Sequence, residues 1–232
     1  MQKPQFANEE IYHIYNRGVE KRKIFLDKQD YLRFIHCLFE FNDGAPATNT
    51  SFYFTRLKNI EVQPRYIRQP RKLLVEILCF SLLPNHFHLL LRQRKDQGIV
   101  KFMQKLGTGY TMYFNQKYKR VGPLFQGRFK AVLVKQEAYF IYLPDYIHLN
   151  ALDLIESDWR EGKIRNYKKA MKFLENYRWS SYLDYIGKKN FPSVTSRKFL
   201  LEFFDGQEEY KKQMENWLKE MNLEEIKDII LE

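Results

Sequence analysis

Apolar and polar positions alternate from Ile11 to Arg17, with Ile11, His13 and Tyr15 on one side and Tyr12 and Ile14 on the other, which predicts a strand. Asp30 to Phe41 instead repeats apolar residues at helical spacing. Leu73 to Leu82 is a continuous apolar run of the kind a strand buried on both faces carries. A Pro84-Asn85 turn then leads into a second strand, His86 to Arg92, so the two form a hairpin. An amphipathic helix is predicted over Ile99 to Lys117, a strand or hairpin over Leu124 to Val134, and a helix interrupted by Pro144 over Gln136 to Asn150. Beyond Asp153 the pattern is helical with short loops, clearest over Tyr177 to Tyr185 and Gln207 to Met221. Asn42 to Lys72, with Gly44, Pro46, Pro64 and Pro70, reads as an insertion carrying a short strand near Phe52 to Leu57. Elements in this order predict an α+β fold: an antiparallel sheet covered by helices on one face, with a helical C-terminal part.

Composition narrows the class. In 232 residues, 44% hydrophobic and 16% aromatic content is enough for a packed core and excludes general disorder. No run approaches eighteen apolar residues, and Met1 to Glu10 is polar, so neither a membrane span nor a signal peptide is expected and the location expected is cytoplasmic. Cys37 and Cys79 sit in apolar stretches and read as buried, inert thiols.

The net charge of +11 favours a polyanionic partner. It is an average of two surfaces: residues 1 to 201 carry +17, and Glu202 to Glu232 carry −6. Six basic residues face one acid between Arg56 and Lys72, and seven occur with no acid from Lys101 to Lys130. These stretches are the expected electrostatic footprint, and the acidic tail is expected either to pack away from nucleic acid or to compete for the basic groove.

Two histidines stand in PNHFHLLL. His86 and His88 are one residue apart on a predicted strand and so share a face, with Phe87, Leu89 and Leu91 on the other. Two readings of the pair stand: a divalent-cation site using both neutral imidazoles, or a solvated histidine beside a cross-strand partner. In DYIHLN, Tyr146 and Asn150 lie four apart and share a helix face. An Asn carbonyl is a hard donor for Mg²⁺ or Mn²⁺, and a phenol is both a nucleophile toward phosphorus and a good leaving group. On helical spacing alone Tyr146 reads first as packing, in a chain with 16 tyrosines, and His148 points away from the Tyr146 face and reads as structural.

YHIYNRGVEKRKIF (Tyr12 to Phe25), LPNHFHLLL (Leu83 to Leu91), GPLFQGRFKAVLV (Gly122 to Val134) and DYIHLN (Asp145 to Asn150), in that order, resemble the REP-associated tyrosine transposases, IS200-like single-tyrosine members of the HUH superfamily. The resemblance covers residues 9 to 152, and RWSSYLDYIG (Arg178 to Gly187) extends it. It implies a ferredoxin-like HUH nuclease fold in a catalytic domain over residues 1 to 152, with a helical region over 153 to 232 that is acidic from 202. It further implies His86, His88 and Asn150 as ligands of Mg²⁺ or Mn²⁺ and Tyr146 as the nucleophile. The implied reaction cleaves and rejoins single-stranded DNA next to a hairpin or palindromic repeat through a 5′-phosphotyrosine, by a monomer or homodimer. Pro144, Asp145 and Ala151 depart from the family pattern. The Pro144 departure motivates the alternative, a catalytically decayed hairpin-binding protein of transposase descent.

Single-stranded DNA binding combines phosphate-tracking cations with stacking aromatics. The candidates are Lys101, Lys105, Tyr110 and Arg120 in the Lys101 to Arg120 stretch, and Gln126, Arg128 and Lys130 as a groove wall. For the first group the competing reading is a core stripe with a solvated lysine face. Asn16 and Arg17 enter a turn at Gly18, which permits close backbone approach, and either contact DNA or cap that turn.

Overall fold

The computed structural model describes residues 4–45, 71–135 and 137–220. The strand expected near Phe52 to Leu57, most of the basic insertion and residues 221–232 lie outside the described residues.

The first half of the chain runs β1 (Ile11–Arg17), α1 (Lys28–Glu40), β2 (Val75–Leu83), β3 (His86–Gln93), α2 (Gly98–Lys117) and β4 (Lys130–Leu133). The sheet order is β2-β3-β1-β4 with every neighbouring pair antiparallel, which is the ferredoxin-like βαββαβ arrangement. Helix α1 starts where the sequence supplies a capping box: the Asp27 carboxylate accepts from the backbone N–H groups of Gln29 and Asp30, and the Asp30 carboxylate reaches back to the Asp27 N–H. One face of the sheet, with Tyr12, Ile14, Phe80, Phe87 and Leu89, packs on Phe34 and Leu38 of α1 and Phe102 and Leu106 of α2.

The opposite face is covered as well. The helices here are α3 (Glu137–Leu149), which passes into a 3₁₀ turn (Asn150–Leu154), then α4 (Tyr167–Leu174), α5 (Tyr182–Tyr185), α6 (Lys198–Phe203) and α7 (Gln207–Glu220). Leu78, Cys79 and Leu90 of the sheet share a core with Tyr146 and Ile147 of α3 and with Trp159, Tyr182 and Tyr210. A register shift between Ile77 and Cys79 brings the adjacent Leu78 and Cys79 into this same core, as a β-bulge does. The C-terminal region also seals the β2 edge. Leu82 N donates to Trp179 O, Ser181 N to Phe80 O, and the Tyr177 and Tyr185 hydroxyls to the carbonyls of Leu82 and Leu78.

Three sequence expectations change. Residues 124–129 form a loop rather than strand, because Gly122 and Gly127 take positive φ (87° and 95°) and only Phe125 bridges to Gly18. Pro144 does not interrupt α3, which continues through it to Leu149. Tyr177 to Tyr185 is a turn and edge segment ending in one helical turn, its backbone groups being drawn to β2 instead of into a helix.

Candidate active site

Neighbouring registers on β1 and β3 assemble the polar end of the second sheet face. Tyr15 lies opposite His88, Arg17 opposite His86, and Tyr15 also opposite Lys130 on β4. Period-2 alternation therefore puts His13, Tyr15, Arg17, His86, His88 and Lys130 on one side, the side on which α3 lies. Gly18 lets the turn after β1 close: its N–H donates to Asn85 O at 2.8 Å, and a Cβ there would stand 2.2 Å from Arg22 O.

The two β3 imidazoles are 5.1 Å apart, centroid to centroid, and nearly perpendicular. Each is gripped through Nδ1. His86 Nδ1 donates to Asn85 Oδ1 at 2.7 Å, and His88 Nδ1 lies 2.9 Å from His13 Nε2. With Nδ1 committed, Nε2 is the nitrogen each ring would present to a cation, the usual arrangement for a metal-ligating histidine oriented by an outer partner. Burial, reinforced by the Arg160 positive charge, pushes His88 down to about 3, so the ring is neutral at physiological pH. On this chemistry the pair fits a divalent ion.

Tyr146 of α3 is fully buried, its ring 6.2 Å from that of His88 and 6.4 Å from that of His13. Asn150, one turn on, donates from Nδ2 to Tyr146 O at 2.8 Å, and its Oδ1 accepts from Arg160 Nη2 at 2.7 Å. The Arg160 guanidinium is itself held by Asp153 and stands 4.6 Å from the Trp159 ring centroid and 5.8 Å from that of Tyr146. His86, His88, Tyr146 and Asn150 thus gather around one end of the sheet, with Asn150 turned to an internal cation. Among the described residues no group of three or more His, Cys, Asp or Glu forms a metal cluster.

A cleft of about 490 Å³ opens beside the histidines, lined by Tyr15, Arg17, Lys21, Arg128, Lys130 and Asp153 among others. Asn16 and Gln126 line it too: Asn16 Nδ2 donates to Gly127 O, and Arg17 Nε donates to Gln126 Oε1. Four cations against one carboxylate suit a phosphate backbone.

The Lys101 to Arg120 candidates are placed elsewhere. Tyr110 is fully buried and its hydroxyl donates to Ile24 O at 2.6 Å, so core packing replaces the stacking role considered for it. Lys105 donates to the carbonyls of Asp43 and Ala45, Arg120 binds Asn115 Oδ1, and Lys101 is exposed away from the cleft. Tyr113, Lys117 and Tyr118 converge on the buried Asp30 carboxylate, a packing device between α1 and α2. His148 is structural: its nitrogens meet Tyr210 OH at 2.7 Å and Ser181 Oγ at 2.8 Å.

Four site residues escaped the sequence: His13, Lys21, Asp153 and Arg160. His13 was legible in principle, since the β1 alternation puts it with Tyr15, but its partner is known only once β1 pairs with β3. Asp153 and Arg160 lie in short 3₁₀ turns, Asn150–Leu154 and Trp159–Glu161, too brief for periodicity to carry a signal.

No curated protein matches the chain. Five solved chains match it; one is a REP-associated tyrosine transposase bound to a REP hairpin, 11% identical, with a TM-score of 0.48 over 84% of this chain and 90% of that one. The family model "Transposase IS200 like" matches residues 55–150. That segment, which holds both β3 histidines, Tyr146 and Asn150, is similar to the IS200-like transposases.

Proposed function

We propose that this protein cleaves and rejoins single-stranded DNA beside a hairpin through a covalent tyrosine intermediate. The observation that carries the reading is the packing of Tyr146 against His88 at the edge of a cleft with four cationic side chains. His86 and His88 would hold Mg²⁺ or Mn²⁺, which supplies Lewis-acid polarisation of the scissile phosphate. Arg17, Lys21, Arg128 and Lys130 bind and orient the flanking phosphates. The Tyr146 phenolic oxygen forms the bond to phosphorus as the bond to the 3′-oxygen breaks; the phenol loses its proton to water and the departing oxygen gains one. A 5′-phosphotyrosine and a free 3′-OH result, and the reverse attack rejoins DNA. Because Tyr146 is fully buried, DNA entry requires α3 and the Asn150–Arg160 contact to shift.

That burial favours a second reading, a hairpin-binding protein without cleavage. Incubating a hairpin with single-stranded flanks, Mn²⁺ and wild-type protein decides between them: a covalent adduct on a denaturing gel, absent in Tyr146→Phe, is expected. Hairpin binding with no adduct overturns the enzyme reading, and an undiminished adduct in the variant overturns the nucleophile.

A further inference from the structure

We infer that His13 is a positioning residue that sets the tautomer in which His88 acts. The two rings are 1% exposed each, nearly parallel at 20°, and meet at 2.9 Å through His13 Nε2 and His88 Nδ1. Two neutral imidazoles in this contact share one proton, so one nitrogen donates and the other accepts. If His88 donates, its proton is on Nδ1 and its Nε2 keeps a lone pair. If it accepts, Nε2 carries the proton and cannot bind a cation. Metal ligation by His88 requires the first form, in which the lone pair of His13 Nε2 accepts from His88 Nδ1–H, the role Asn85 Oδ1 plays for His86.

His13 is no third ligand, because its Nε2 is directed at the His88 ring edge and no three-residue metal cluster exists among the described residues. Its placement is fixed by the sheet: His13 pairs with Leu90, the next same-face position after His88 on β3, so the two rings meet diagonally across the strands. Tyr15 flanks both, 5.1 Å from His13 and 5.8 Å from His88, and limits ring rotation.

The inference rests on the metal reading above; the NMR measurement tests the tautomer without it. Long-range ¹H–¹⁵N NMR of metal-free wild-type protein at pH 7 is expected to show His88 protonated at Nδ1, and protonation at Nε2 overturns the inference. In the same spectra His13→Phe is expected to shift His88 toward the Nε2–H form. Co²⁺ titration should show a loss of about ten- to a hundredfold in affinity in His13→Phe. His13→Gln, whose carbonyl oxygen can accept the same hydrogen bond, should recover most of it. Equal Co²⁺ affinity in wild type and His13→Phe overturns the positioning role. If His86→Ala and His88→Ala bind Co²⁺ as wild type does, it is the metal site that fails, and the NMR result decides His13 by itself.

Discussion

Arg160 and Asn150 form a hydrogen-bonded pair, Nη2 to Oδ1 at 2.7 Å, which puts a fixed guanidinium on the oxygen expected to serve a metal. A second cation beside that oxygen is repelled, so the two states of Asn150 compete. Arg160→Met should raise Co²⁺ affinity by about tenfold at the two-histidine site, since removing one partner of a charged hydrogen bond leaves the oxygen seeking another. Calorimetric titration of both proteins checks this; weaker binding in the variant would mean that Arg160 supports the site.

The cleft cations should separate from the α2 cations in salt dependence. Arg17→Ala, Arg128→Ala and Lys130→Ala should each lower the slope of log affinity against log salt by about 0.7 for single-stranded DNA. Lys101→Ala should leave it unchanged, because Lys101 lies outside the cleft. Filter binding from 50 to 300 mM salt measures both.

Asp30 should matter to the fold and not to DNA. Its carboxylate is fully buried and receives Lys117, Tyr113 and Tyr118; burial pulls the Lys117 ammonium down, but its hydrogen bonds to Asp27 and Asp30 outweigh that and hold it well above its ordinary range. Asp30→Asn leaves a partly buried ammonium with weaker compensation and should cost about 3 kcal/mol in urea unfolding. DNA affinity at a temperature where the variant is folded should not move.

Asp145 predicts a pH dependence of stability. Burial pushes its carboxyl up to about 7, against hydrogen bonds from Gln213 and Tyr210 that pull it down. The folded state thus binds the proton more tightly than the unfolded chain. Its contribution is fully present below the unfolded value near 3.8 and is lost as pH rises through about 7. Asp145→Asn should remove that slope, so that wild type loses stability relative to the variant between pH 5 and pH 8 in urea melts, by up to about 3 kcal/mol. Parallel curves would place the carboxyl at its ordinary value.

The strands and long helices were legible because each has one clean period: β1 alternates over Ile11–Arg17 and α2 repeats over Gly98–Lys117. The shared face of His86 and His88 followed from that alternation alone. What escaped depends on chain pairing. Tyr110 looked like an exposed stacking residue because helical spacing cannot say which stripe meets a sheet, and the structure turns it into the core. Tyr177 to Tyr185 read as helix from its pattern, but backbone groups that a helix would bond locally, Trp179 O and Ser181 N, are drawn across about a hundred residues to β2. The Arg160 contact was invisible as well, since a three-residue 3₁₀ turn, Trp159–Glu161, has no period to extrapolate.

The seal along β2 has a consequence for biosynthesis. Ser181 bonds Phe80 and Tyr185 bonds Leu78, separations of 101 and 107 residues, so the second core cannot close until the chain beyond Tyr185 is available. A ribosome-bound chain that already displays both histidines and Tyr146 still lacks Tyr182 and Tyr210, which share the core with α3. Contacts this remote in sequence form late. The residues proposed to react are therefore synthesised well before they can be assembled, and a truncated translation product carries their side chains without their geometry.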